Sequence, residues 1–506
     1  MTSQRWLTDA DFAANSVAKS IWWHYLAVVV PEKIRFKNNG SLYITKGHND
    51  WSIPDEKNYD ILACTALALI TGQITGCLFD IPNQNIIYAA DPTQENREED
   101  ATIAFTWAHF LNDPTDPTWL IRFPMVKASI RGMDTMTAFV NDQLPQLGCN
   151  LQYYSVAGAS KRGWTTWLVG AVDPNRVKVI IPMVLDAINF LAVEHHEYKS
   201  YGGWGYALAP YREMNLTLRF DDPNFPLLQQ MIDPYFYRER LTMPKLVVNS
   251  GMDEFQQPDD THYWWNDMPG PKHFLLAPNT EHEMVTGILE IIPAIGAYVI
   301  AQNQHMEIPE FVWTIDNVTG EIVATMEYDR KIVSAAVWWA YSCGFNAWDG
   351  GKARRDFRIG HMDVPCKCGI ALNNSDFNCF NLKALWFNQD LQPSTDGNKR
   401  IYRAMPGREF KKPANNDTWV AFFIAFKFYN SNAQNDTQQV MKEIYTRAKG
   451  SPEYASKRFV RPGNAESWPL PEDLGGYLEF NTEASVWPDT FPYPDCDGPN
   501  CNQQVV

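Results

Sequence analysis

The segment Val156-Ala-Gly-Ala-Ser-Lys-Arg-Gly163 has the residue types that can present a reactive hydroxyl. Small residues before Ser160 permit a sharp strand-to-helix turn that exposes its side chain. A helix starting at Lys161 would aim that residue's backbone N–H at a developing oxyanion. A serine also needs a base, and the base needs a carboxylate to fix its tautomer. Downstream, Asp253 follows the run Lys245-Leu-Val-Val-Asn-Ser250, and His282 follows His273-Phe-Leu-Leu-Ala277. The order Ser, Asp, His therefore nominates Ser160 as nucleophile, His282 as general base then acid, and Asp253 as its orienting group. Two features complicate this. The common elbow is G-x-S-x-G, but here Arg162 holds the second glycine position and Gly163 comes one later. Glu254 is an adjacent rival for the acid.

The elements around these residues are arranged to position them. From about residue 25 to 304, short β-rich runs alternate with helix-compatible segments. Leu26–Val30, Leu42–Thr45, Ile86–Ala89, Gln152–Val156, Val177–Val184, Lys245–Ser250 and His273–Ala277 read as strands. Asp60–Thr71, Glu98–Leu111, Pro124–Val140, Lys161–Val172 and a segment from His282 onward read as helices. Such alternation predicts an α/β unit whose mostly parallel sheet is covered on both faces. Open parallel sheets place their sites at the carboxyl ends of strands, where Ser160, Asp253 and His282 all fall. Beyond residue 305 the pattern changes. Phe311–Ile315 and Glu321–Thr325 flank an Asn/Gly turn, a hairpin signature. Ser334–Tyr341, Trp419–Tyr429 and Leu478–Val486 are further β-prone runs, and Thr437–Ala448 is helical. Residues 305–487 are expected to form an antiparallel β-sandwich-like domain with a helical insertion. Residues 1–24 read as an N-terminal extension, and 488–506 as a Cys-containing tail.

Composition excludes several function classes. The 506 residues are 45% apolar and 20% charged, which is globular and not disordered. The formal charge is −16, from 43 Lys+Arg against 59 Asp+Glu. Nucleic acid is not an expected partner, because phosphate contacts need clustered cations. No apolar run is long enough to span a bilayer; Ile61–Gly72 and Ile288–Ala301 read as buried helices. No signal peptide is visible at the N-terminus. Six N-x-S/T sequons, at Asn39, Asn215, Asn317, Asn373, Asn416 and Asn435, modestly exceed chance. Nine Cys are present, and Cys496 to Cys501 looks like a small disulfide-closed loop. Together these favour a mature extracellular chain over a cytoplasmic one. The 19 Trp imply a ring-filled core, an aromatic cleft, or both.

At this point the chain resembles the PhoPQ-activated pathogenicity-related proteins, a family that includes secreted autocrine proliferation repressors of amoebae. The resemblance covers most of residues 20–430. It rests on Ile81-Pro-Asn-Gln84, on Glu99-Asp100 with Thr106-Trp107, and on Phe123-Pro-Met-Val-Lys-Ala128 with Arg131-Gly-Met-Asp134. It rests also on Gly158-Ala-Ser-Lys-Arg-Gly-Trp-Thr-Thr-Trp167, Tyr201-Gly-Gly-Trp-Gly205, Asp233-Pro-Tyr, Met243-Pro-Lys, Pro278-Asn-Thr-Glu-His282 and Arg354-Arg-Asp-Phe-Arg358. The resemblance implies an α/β-hydrolase fold, here with a cap insertion over about 185–240, followed by a C-terminal β-domain. Some members look like extracellular signals, so an intact triad need not mean that turnover is the biological role.

Other groups fill out the candidate site. The second oxyanion donor should follow strand Leu42–Thr45, at Gly47 or His48, beside the N–H of Lys161. The Lys161 and Arg162 charges suit an anionic ester or a peptide carboxylate. Trp204, with Trp264 and Trp265, could line a cleft. The string Glu194-His195-His196-Glu197 invites a metal, but adjacent helical His side chains point about 100° apart. His361, Cys366, Cys368 and Cys379 lack paired C-x-x-C knuckles, so disulfides or free thiols are expected and zinc is not. No cofactor is expected. The first reading is a secreted serine hydrolase, an esterase or peptidase acting on a small ester or peptide substrate. The second is a non-catalytic extracellular ligand or assembly protein on a hydrolase scaffold, with a protein partner or receptor.

Overall fold

The computed structural model describes residues 1–327, 329–361, 379–380, 384–430, 434–448, 476–496 and 501. Its centre is a seven-stranded sheet: β1 (Leu26–Val29), β2 (Asn39–Ile44), β3 (Ile74–Leu78), β4 (Tyr153–Ala159), β5 (Val177–Met183), β6 (Lys245–Ser250) and β7 (Lys272–Ala277). The spatial order is β1-β3-β2-β4-β5-β6-β7. Only β1 runs antiparallel to its neighbour β3; the other pairings are parallel. All six residues of β6 are buried, as a strand covered on both faces requires.

The covering helices are α1 (Tyr59–Thr71), α2 (Glu99–Asn112), α3 (Arg122–Ala138), α4 (Lys161–Val172), α5 (Phe190–Tyr201), α6 (Phe225–Ile232) and α7 (Ile288–Asn303). Asn58 starts α1 by accepting the N–H groups of Asp60 and Ile61 at 2.9 and 3.2 Å. Gly72 ends it in the left-handed conformation, φ 71°, that favours glycine. The α1 and α7 side chains pack with Val179, Ile181, Val248 and Leu275 in one core layer. Those of α3 and α4 pack with Val156, Ile180, Val247 and Phe274 in the other. Chain direction across the sheet reverses between β2 and β4, and this switch point opens a crevice at the strands' carboxyl ends.

Two antiparallel sheets follow. One holds β8 (Val312–Ile315), β9 (Ile322–Glu327), β12 (Ser394–Asp396) and β13 (Lys399–Ala404), in the order β8-β9-β13-β12. The other holds β10 (Ile332–Tyr341), β11 (Phe387–Asp390), β14 (Val420–Phe428), β15 (Leu478–Asn481) and β16 (Ser485–Trp487), with β15 and β16 both pairing with β14. Ala324 of the first sheet and Ile424 of the second share the core layer that includes α7. The fold is thus an α/β-hydrolase sheet with helices on both faces, joined to antiparallel C-terminal sheets.

Three expectations need correction. Ile86–Ala89 is not a strand; Ile86 and Tyr88 make only isolated bridges, with Arg97 and Phe12, and these do not extend into a ladder. The run Leu478–Val486 is broken into β15 and β16, since Thr482 turns its backbone and side chain onto Ile424. The helix expected to reach Val140 ends at Ala138 and continues as a single wide turn over Phe139–Gln143. Among the described residues, no helix is long and apolar enough to cross a membrane. Disulfides join Cys64 to Cys77 and Cys496 to Cys501, while Cys149 is a free thiol. Cys366, Cys368 and Asn373 lie outside the described residues.

Candidate active site

Ser160 sits between β4 and α4 with φ 56° and ψ −126°. An L-residue holds such angles only where its surroundings over-determine them. Here Ser160 N–H donates to Met183 O at 2.9 Å, and Ser160 O accepts Trp164 N–H at 3.0 Å. The departure from the common motif has a local cause. A Cβ on Gly158 would lie 2.6 Å from Arg162 O, and one on Gly163 would lie 2.6 Å from Met183 O. The tight approach to the next strand therefore falls at 163, and position 162 is left able to carry a long side chain.

Asp253 and His282 follow β6 and β7. Ser160 Oγ lies 2.8 Å from His282 Nε2, and His282 Nδ1 lies 2.8 Å from Asp253 Oδ1. The carboxylate side fixes the ring proton on Nδ1, which leaves Nε2 to accept from the serine. Asp253 is itself held by the N–H groups of Phe255 and Gln256, at 2.8 and 3.2 Å. The rival Glu254 takes a different task, accepting the backbone N–H of His282 at 2.8 Å. Burial disfavours a charged His282, but the charge and hydrogen bond of Asp253, helped by Glu254, outweigh it and raise its pKa above 6.5. Burial, reinforced by the Asp253 charge, raises Glu254 to about 7.

Lys161 opens α4, so its N–H lies outside the helical ladder. The loop after β2 borders the same cleft through Thr45, Lys46 and His48. Gly47 is pinned there: its carbonyl accepts Gln84 Nε2 at 3.0 Å, and a Cβ would fall 2.2 Å from Asp80 Oδ1. His48 stacks on Trp51 with ring centroids 4.1 Å apart, and its Nδ1 lies 3.4 Å from Glu98.

The Lys161 and Arg162 charges are paired with neighbouring carboxylates, although both residues line the larger cavity. Arg162 grips both oxygens of Glu99 at 2.6 Å, and Lys161 Nζ lies 3.0 Å from Glu99 and 2.9 Å from Asp100. Burial alone would raise Glu99; Arg162 and Lys161 overcome it and hold the carboxylate well below its usual range. Trp204 is also placed differently from the expectation. It is fully buried, donates to Cys501 O at 2.7 Å, and packs behind Phe220 at 5.1 Å. Trp264 and Trp265 are core residues too, with Trp264 donating to Asp186 at 2.7 Å. Their rings are large enough to be pulled wholly into packing, which sequence proximity to glycines does not reveal. His195 and His196 diverge, the first to Asp495 and the second to Asp260, both at 2.7 Å. Asp495 and Cys496 lie near His195, but the Cys496 sulfur is already in a disulfide.

Two cavities meet at Ser160 and His282. The smaller, about 70 Å³, lies beside α5 and α6 against Trp107, Trp164, Phe190, Phe220 and Phe225. Asp100, Arg122, Glu194 and Gln256 add polar groups to it. Glu194 Oε2 is buried without a hydrogen bond, and burial, then Glu197's charge, raises its pKa well above the carboxylate range. The larger cavity, about 370 Å³, runs between α1 and α7. Glu99, Arg122 and Phe255 were not nominated as site residues from sequence. Glu99-Asp100 stood among the strings that carry the family resemblance, and nothing local links it to Arg162.

A family model described as PhoPQ-activated pathogenicity-related protein matches residues 1–358. Autocrine proliferation repressor protein A of Dictyostelium discoideum is 31% identical over 452 residues, covering 87% of this chain and 82% of that protein. Among solved structures, Est1E from Butyrivibrio proteoclasticus aligns with TM-score 0.32 and 13% identity, over 55% of this chain and 93% of its own. Acetyl xylan esterase 1 from a Thermoanaerobacterium species aligns with TM-score 0.36 and 14% identity, over 55% and 79%. With the family model spanning well over half its length and a relative this similar across most of both chains, the protein belongs to the PhoPQ-activated pathogenicity-related family.

Proposed function

We propose that the protein is a serine hydrolase that cleaves a carboxylic ester or related acyl bond through an acyl-enzyme on Ser160. The observation that carries this is the unbroken Ser160–His282–Asp253 hydrogen-bond line at the meeting of two cavities. Ser160 Oγ attacks the carbonyl carbon while His282 Nε2 takes its proton. The oxyanion forms against the Lys161 N–H, with a second donor from the loop at Gly47 and His48. His282 then protonates the leaving group, and water repeats the sequence to release the acid. The Asp253 charge stabilises the imidazolium in both halves.

The test is labelling by a fluorophosphonate probe. Wild type takes one label on Ser160, and Ser160→Ala takes none; an unlabelled wild type refutes the reading. Disulfides such as Cys64–Cys77 and Cys496–Cys501 support a secretory route for the chain. A second reading has one specific observation behind it. The relative is named for autocrine repression of proliferation, so the chain could act extracellularly through a protein partner. Ser160→Ala that folds normally and still signals fully supports this second reading.

A further inference from the structure

The larger cavity has a wall chemistry of its own. Ala63 and Leu67 of α1 face Ile288, Ile291, Ile292 and Ile295 of α7 across it. These fall at i, i+4 on one helix and i, i+3, i+4, i+7 on the other, a single face of each. Ala157 and Met183 from β4 and β5 close the floor. Two facing apolar helix stripes ordinarily meet and fill the space between them. Here α1 and α7 do meet, through the buried Leu67, Ile70, Ile292 and Ile295, and beside that contact a cavity remains that leads to Ser160 and His282. The rest of the lining includes the polar Lys46, His48, Glu99, Lys161, Arg162 and Glu283, and the smaller cavity sets Asp100, Arg122, Glu194 and Gln256 among aromatic rings.

We propose that this cavity is an acyl-chain site, so that the substrate is an ester of a linear aliphatic acid of medium length. The proposal rests on Ser160 being the nucleophile. The Ser160 Oγ–carbon bond forms as the ester C–O bond breaks, and the alcohol departs with the proton from His282. The chain stays between α1 and α7 while water enters by way of the smaller cavity. Water's oxygen then adds to the acyl carbon, the Oγ–carbon bond breaks, and the proton returns to Ser160. The products are one fatty acid and one alcohol. A methylene takes about the space of one water, roughly 30 Å³, so the cavity holds a chain of about ten carbons.

Two measurements on the full chain test this separately from the chemistry. With p-nitrophenyl esters from acetate to tetradecanoate, kcat/KM should rise by at least about 100-fold and level off near ten carbons. Complete burial would give a steeper rise, about fourfold per methylene. Ala63→Phe, or Ile288→Phe if the first does not fold, moves the plateau to shorter chains and raises KM for decanoate esters more than it lowers kcat. In calorimetry, Ser160→Ala binds decanoate, and adding Ala63→Phe weakens that binding at least tenfold. Acetate hydrolysis with a flat series and no decanoate binding overturns the acyl site and leaves the hydrolase reading intact. A rise with alcohol length in alkyl acetates, in place of acyl length, overturns the acyl assignment. No turnover of any ester, with no probe labelling, refutes the hydrolase reading and this inference with it.

Discussion

Replacing Glu99 with Gln tests the ionic cluster beneath the nucleophile. Glu99 serves Arg162 through two 2.6 Å hydrogen bonds and Lys161 at 3.0 Å. The two cationic side chains are only 6% and 8% exposed, while the Glu99 side chain is 29% exposed. Removing one partner of a buried pair costs about 3–5 kcal/mol, because the remaining charge keeps its desolvation penalty. Partial exposure of Glu99, and the 2.9 Å contact of Asp100 with Lys161, put the expected loss near the lower limit, about 3 kcal/mol. Urea denaturation of wild type and Glu99→Gln at pH 7 measures it. The pH dependence supplies the sharper check. Glu99 is held below its unfolded value of about 4.5, so its contribution is full above that pH and is lost as pH falls toward the folded pKa. The gap between the two proteins should therefore shrink below about pH 4.5. A difference under about 0.5 kcal/mol at pH 7, typical of a surface change, or one that stays constant into acid, would falsify the reasoning.

Three further predictions concern the same crevice. Because Asp253 and Glu254 raise the His282 pKa, the acid limb of kcat/KM for a reporter ester lies above pH 6.5, and activity grows as the ring loses its proton. Asp253→Asn should cut kcat by about 10⁴-fold; a drop under tenfold would mean that Asp253 does not orient the base. Gly163→Ala places a Cβ 2.6 Å from Met183 O, so it should lower probe labelling and thermal stability together. Unchanged labelling and melting would show that the elbow has slack there.

The hydrogen-bond line from Ser160 through His282 to Asp253 was readable because each member sits just past a strand, and a strand's burial is written in its own residues. Ser160, Asp253 and His282 each needed only a local turn to reach the sheet edge, and topology brought those turns together. The neutralisation of Arg162 was not readable. Its partner Glu99 lies 63 residues earlier on another helix, and no local pattern joins them. The Trp204 expectation failed for a related reason. Its partner is Cys501 O, 297 residues away, so burial was decided by a segment with no periodic signature. The Ile86–Ala89 run shows the converse: β-forming residues remain a loop where their pairing is limited to single bridges, Ile86 with Arg97 and Tyr88 with Phe12.

The link from Trp204 to Cys501 also bears on how the molecule is made. Residues 491–496 lie along α5, where Phe491 packs edge-on against His196 at 5.3 Å and Tyr493 N–H donates to Lys199 O at 3.2 Å. A ribosome must add 297 residues after Trp204 before that indole meets its acceptor. By then Ser160, Asp253 and His282 have all been synthesised. The wall behind Phe220 is thus among the last parts to be completed, and a growing chain carries its reactive residues before it carries a finished pocket around them.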